Sequence, residues 1–239
     1  SVAEGGTATT LTGGASSVLA NDTDAENDTL SAVLMTSPAH GTLTLNANGT
    51  FSYTHDGSET TTDSFTYKPN DGTADGNPVT VAITVAPVND APVNGIPGSQ
   101  AALQDGTLVF SSGNGNLLSV SDIDAGAGTV RITLTASNGL MTLSGTTGLS
   151  FSVGSGTADG TMTLEGMLAD INLALDGLIF SPTAGYYGPA SVQITSNDLG
   201  LSGSGGNQTD TDTIAINVAQ PIPVVTRVSA GSADGAYKM

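Results

Sequence analysis

The sequence has no cysteine, no tryptophan, only five Phe and five Tyr, and four basic residues against 22 acidic ones in 239. Without thiols there is no disulfide, no thiolate metal site and no cysteine nucleophile. That absence favours a large secreted bacterial protein whose modules are held by metal. The formal charge of −18 excludes a nucleic-acid backbone or an anionic membrane surface as partner. No run approaches the roughly 18 apolar residues of a membrane helix, and no signal peptide opens the chain. The piece reads as a soluble section of something longer. With so few aromatics, any core must be mostly aliphatic.

What is present is Gly, Thr, Ser, Asn and Asp around short alternating apolar runs, the composition of strands joined by tight turns. Phe51-Ser52-Tyr53-Thr54, Ser64-Phe65-Thr66-Tyr67 and residues 79–85 alternate most clearly. Asn48-Gly49, between the runs 41–45 and 49–53, predicts a type I′ hairpin. Residues 86–93 place prolines on both sides of Asn89-Asp90, which stops strand pairing and marks a boundary. The pattern then restarts through 106–110, 129–134, 140–143, 148–151, 190–194 and 212–218. Near 164–175 the apolar residues fall at 164, 167, 168, 171, 174 and 175, a helical face stopped by Gly177. The expectation is an all-β chain of two tandem immunoglobulin-like antiparallel sandwiches, the second with a short crossover helix. Its divisions are 1–88, a linker 89–93, a second sandwich 94–220, and 221–239 as a tail or the start of a truncated third module.

Between the strands lie acidic loops: Asn21-Asp22-Thr23-Asp24-Ala25-Glu26-Asn27-Asp28, Asn89-Asp90, Asp122-Ile123-Asp124 and Asn197-Asp198. Carboxylates two residues apart with almost no base nearby repel one another unless a cation lies between them. Asp, Asn and Glu oxygens are hard ligands suited to calcium. Zinc and copper want His or Cys, and the chain has two His and no Cys. The competing account is that Asp and Asn simply suit turns.

Residues 17–24, 38–43, 48–60, 63–67 and 88–92, with sequences such as Asn48-Gly49-Thr50-Phe51-Ser52-Tyr53 and Val88-Asn89-Asp90-Ala91-Pro92, resemble the bacterial cadherin-like tandem repeats of large secreted RTX-type adhesins. The second domain resembles a divergent companion repeat through 164–175, Phe180-Ser181-Pro182, Tyr187-Gly188 and Asn197-Asp198-Leu199-Gly200. The resemblance implies a string of cadherin-like sandwiches with calcium at the joints, displayed at the bacterial cell surface. It also implies ligand roles. Glu4 matches the early glutamate, Asn89 and Asp90 the linker, and Asp122 and Asp124 the next domain's aspartate pair. Asp22 and Asp24 serve an upstream joint; Asp28 and Asp198 complete the candidate metal ligands. Two departures stand out: Pro87 replaces a linker aspartate, and the second linker, 219–223, has no acid.

Catalysis is not expected. His55-Asp56 has no Gly-x-Ser-x-Gly elbow beside it, Ser204 lies in a glycine loop, and glycosidase-like carboxylates lack an aromatic cleft. A covalent cross-link through Lys68 is set aside, and His40 is read as a turn residue. The expected role is a calcium-stabilised adhesion spacer whose partners are neighbouring repeats of the same polypeptide, with no membrane insertion. Its rivals are a module whose Gly-rich loops hold a glycan or protein receptor, and a filament subunit self-associating through the strand-like tail from Val224.

Overall fold

The computed structural model describes residues 1–200 and 202–222, so the tail from Val224 lies outside the described residues. The first sandwich comprises β1 (Val2–Ala3), β2 (Thr7–Ala8), β3 (Ser31–Thr36), β4 (Gly41–Leu45), β5 (Phe51–His55), β6 (Thr62–Asn70) and β7 (Val79–Ala86). One sheet runs β1-β7-β6-β3 and the other β2-β5-β4. The pairing of β1 with β7 is parallel, Val2 opposite Val85 and Ala3 opposite Ala86. Alternation places Phe51, Tyr53, Phe65, Tyr67, Ile83 and Val85 inward, where Phe51 and Phe65 meet at 6.2 Å between ring centroids.

The β4–β5 hairpin differs from the type I′ expectation. Leu45 pairs with Phe51 and the amide of Asn46 bonds the carbonyl of Thr50, which leaves the loop Ala47-Asn48-Gly49. Gly49 takes a left-handed φ of 80° while Asn48 does not. This is the three-residue loop, in which a single position needs φ > 0.

The second sandwich contains β8 (Val93–Gly95), β9 (Gln100–Leu103), β10 (Leu108–Phe110), β11 (Ser119–Ser121), β12 (Thr129–Ser137), β13 (Gly139–Thr142), β14 (Ser150–Val153), β15 (Thr161–Met167), α1 (Leu168–Leu175), β16 (Leu178–Pro182), β17 (Gly188–Asn197) and β18 (Thr209–Ala219). Its large sheet is ordered β14-β15-β12-β17-β18-β9, facing β10-β16-β13 and the pair β11-β8. Twenty-three buried apolar residues form its core, against eight in the first sandwich. The first sandwich therefore has less burial to stabilise it.

The helix expected near 164–175 begins only at Leu168. Residues 161–167 are strand β15, held between β12 and β14. Leu164 belongs to both patterns, to the helical face with 167, 168 and 171 and to the period of two with Met162 and Gly166, and pairing on both sides decides for the strand. The shortened helix buries Ile171, Ala174 and Leu175. Asn172 then bonds both the amide and carbonyl of Val120 at 2.8 Å, acting as a substitute strand on β11. Among the described residues no helix is long and apolar enough to cross a membrane.

Candidate metal centre

Strand parity decides which loops meet. Strands β5 and β7 both run toward the linker, so the turn after β5 ends beside the exit of β7 and beside Glu4, whose amide bonds Ala86 O at 2.9 Å. On the far side β11 and β17 also end there, presenting Asp122-Ile123-Asp124 and the loop after Asn197. The outcome is a cluster drawn from both sandwiches. Carboxylate oxygens of Glu4, Glu59 and Asp90 lie within 4.8 Å of one another. The amide of Asp90 donates to Asp124 Oδ2 at 3.1 Å, and Ser202 Oγ bonds the same oxygen. Asp122 Oδ1 accepts the amides of Asp124 and Ala125, both at 3.2 Å.

The linker itself is fastened to the β17–β18 loop. Val88 and Ser204 form a parallel bridge, with Asn89 N to Ser204 O at 2.8 Å and Ser204 N to Pro87 O at 3.0 Å. This close approach requires Gly203, where a Cβ would fall 2.7 Å from the Val88 carbonyl carbon and where φ is +65°. Asn89, 2% exposed, donates from Nδ2 to Asp198 Oδ2 at 2.6 Å. Asp198 Oδ1 accepts the amides of Gly200 and Gln208, both at 2.8 Å. Asp198 thus ties the linker down from behind, while the opposite edge of the Asn89 amide is left free.

The joint has many negative groups and nothing to neutralise them. Of the two basic side chains in the described residues, Lys68 pairs with Asp75 and Arg131 with Glu165. Glu59 is exposed at the surface of the joint, yet partial desolvation there, with the charge and side chain of Glu4 and the charges of Asp124 and Asp90, pushes it up to about 7. Burial likewise pushes Asp122 up to about 6, reinforced by Asp124. Asp124 is held below its ordinary value: burial opposes this, and hydrogen bonds from Asp122, Ser202 and the Asp90 amide outweigh it. Three oxygens, Asn89 Oδ1, Asp122 Oδ2 and Asp124 Oδ1, are buried with no hydrogen-bond partner. Buried acceptors without donors, beside unneutralised carboxylates, fit a hard cation.

Of the expected ligands, Glu4, Asn89, Asp90, Asp122 and Asp124 meet at this joint, and Asp198 stands behind it. Asp22, Asp24 and Asp28 lie at the other end of the first sandwich, where Asp24 borders a groove with Asp71 and Asp75. There Asp22 Oδ2 accepts the Tyr67 hydroxyl at 2.8 Å, and Asp24 Oδ1 accepts the amides of Glu26 and Asp28.

Glu59 was not among the expected ligands, although counting strand directions from β5 to β7 would have found it. His55 was also missed. Its ring is buried, with Nδ1 accepting the amides of Gly5 and Gly57 at 3.3 Å and Nε2 on Thr60 Oγ1 at 3.0 Å. Two amides on Nδ1 fix that nitrogen as the acceptor and Nε2 as the protonated one. One imidazole thereby joins the segment carrying Glu4 to the turn carrying Glu59.

Comparison with known proteins adds the following. A crystal structure of human mucin-like protocadherin EC1-2 is 16% identical, with 92% of this chain and 94% of that one covered and a TM-score of 0.41. Human CDH23 EC21-23 is 13% identical, with 81% and 59% covered and a TM-score of 0.43. Mouse protocadherin-24 EC1-3 is 17% identical, with 80% and 59% covered and a TM-score of 0.36. No curated protein matches the chain. Residues 1–87, the first sandwich, match the model of the bacterial cadherin-like domain.

Proposed function

We propose that this chain is a calcium-stiffened spacer of an extracellular, surface-displayed adhesion protein, and that calcium at the joint sets the angle between its two sandwiches. The observation that carries this reading is the joint: Glu4, Glu59, Asp90, Asp122 and Asp124 converge from both sandwiches with three orphaned buried oxygens, while the two basic side chains of the described residues are paired elsewhere. When bound, calcium would supply the missing positive charge. Glu4, Glu59 and Asp90 would hold it from the side of the first sandwich and linker, Asp122 and Asp124 from the second. The reading is not enzymatic: among the described residues no nucleophile paired with a base stands at the cluster. The rival idea of a receptor held by the Gly-rich loop loses ground because residues 203–206 already grip the linker.

The direct test is to titrate CaCl2 into chelator-treated protein by calorimetry and to follow the same samples by small-angle X-ray scattering. Binding in the range of roughly 10⁻⁴ to 10⁻³ M is expected, with a narrower distribution of interdomain distances once calcium is added. Identical scattering and no heat would overturn the proposal.

His55 provides a sharper check on how the site is held. Replacing it by Leu removes the acceptor shared by Gly5 and Gly57, so the expected outcome is a calcium affinity lower by roughly tenfold, the scale seen when a group supporting metal ligands is lost. His55→Gln keeps an acceptor and should recover part of that loss. Equal affinities for wild type and His55→Leu would show that the imidazole only fills space.

A further inference from the structure

Five buried side-chain oxygens lack a partner among the described residues, and the joint accounts for three of them. The other two, Asn94 Oδ1 and Ser196 Oγ, share a second place. Asn94 lies on β8, whose Val93 is exposed while Asn94 itself is only 8% exposed and turned inward. Ser196 is fully buried on β17 and stands opposite Asp210 on β18 in the strand register. Alternation along β18 turns Asp210 and Asp212 to the same inner face as the buried Ile214, Ile216 and Val218. Two carboxylates therefore continue the core side of a strand, directly over the orphaned serine.

Asn94 faces both. Its amide donates to Asp210 Oδ2 at 2.8 Å, and its side-chain Nδ2 to Asp212 Oδ2 at 3.3 Å. Those are neutral donors to two formal negative charges; of the other polar atoms, the Asn94 Oδ1 only accepts and the Ser196 hydroxyl can do either. Asp210 and Asp212 are half-buried, and carboxylates drawn toward a protein interior are ordinarily paired with a cation or a metal. Here Arg131 and Lys68, the basic side chains of the described residues, are engaged elsewhere. An approach route exists as well. Strand β9 covers β18 only from Ile216 onward, so the edge of β18 beside Asp210 and Asp212 has no strand pairing with it.

We propose that Asn94, Ser196, Asp210 and Asp212 form a second calcium site inside the second sandwich, sharing no residue with the joint. The carboxylates of Asp210 and Asp212, the Asn94 carbonyl oxygen and the Ser196 hydroxyl are four hard oxygen ligands, with water completing the six to eight that calcium takes. With two charges instead of the joint's five, this site binds more weakly. Its effect is local: it locks β8, the first strand after the linker, onto the sheet that carries Asp198.

The test uses the full chain, ¹⁵N-labelled and titrated with CaCl2 in two backgrounds: wild type and the joint variant Glu59→Gln/Asp90→Asn/Asp124→Asn. The expected result is a saturable shift of the Asn94 side-chain amide and the Ser196 backbone amide in both, at higher calcium than the joint resonances require. Asp210→Asn/Asp212→Asn should abolish those shifts while leaving the Glu59 and Asp90 resonances responsive. Silent Asn94 and Ser196 resonances up to 20-fold above the concentration that saturates the joint would overturn the proposal, leaving water as the occupant. Shifts that survive Asp210→Asn/Asp212→Asn would overturn it equally. If the joint resonances are silent while Asn94 shifts, the spacer reading fails and this one stands.

Discussion

Asp198→Ala should unfasten the joint at a cost of about 3 kcal/mol, within the range for leaving several buried donors without partners. The carboxylate receives Asn89 Nδ2 on one oxygen and the amides of Gly200 and Gln208 on the other. Its removal orphans the two amides and leaves Asn89 Nδ2 with the Gly206 carbonyl at 3.0 Å as its main acceptor. The melting temperature of the second sandwich should fall by roughly 10 °C, and calcium affinity should fall with it, because Asn89 is released from the geometry that presents its free oxygen. Asp198→Asn retains acceptor capacity at one atom and should lie between. Calorimetric melting with and without 10 mM calcium checks both effects; a loss of stability with unchanged calcium affinity would separate Asp198 from the joint.

The second large effect is a coupling of calcium to pH. Glu59 rises from an ordinary 4.5 to about 7, chiefly through partial desolvation and then the neighbouring carboxylates; Asp122 rises from 3.8 to about 6. A carboxyl whose folded pKa is raised binds its proton more tightly folded than unfolded. The stabilisation is complete below the unfolded pKa and is lost as pH climbs through the folded one. Calcium-free protein should therefore lose stability between pH 5 and pH 8. Asp124, held below its ordinary value, stays charged through this window. Calcium must displace the protons on Glu59 and Asp122, so its affinity should increase in the same direction, on the order of 100- to 1000-fold from pH 5 to pH 8. The signature is a divergence: melting temperature falls with pH under chelator and stays nearly level under saturating calcium, whose rising affinity cancels that loss. Parallel curves would show that these carboxyls do not face the ion.

Much of this was legible in the residues, and the limits have physical causes. Alternating runs revealed strands because one face of each is buried; the prolines around Asn89-Asp90 gave no sign that Val88 would bridge Ser204. Glu59 was hidden because a single glutamate in a Ser-Thr turn carries no local signal; only the direction of three successive strands brings it to Glu4. His55 was hidden for a related reason, since its partners at Gly5 and Gly57 are backbone amides that any sequence would supply. The helix start was placed too early because Leu164 fits both periods, and pairing with β12 and β14 decides for the strand. The glycines at 203–206 read as slack and are instead the place where two backbones touch.

The parallel pairing of β1 with β7 has a mechanical meaning for a protein placed under tension. Pulling on Val2 and on Ala86 drags two adjacent, co-directional strands past each other, so the hydrogen bonds between them are loaded together and do not peel apart one at a time. Tension entering at the amino end crosses that short shear contact before it reaches the linker at Val88. The contact is only two residues long, and Glu4, the first carboxylate of the joint, follows immediately after it. An ion gripping Glu4 and Asp90 together would bridge the strand that enters and the linker that leaves, carrying load past this short ladder.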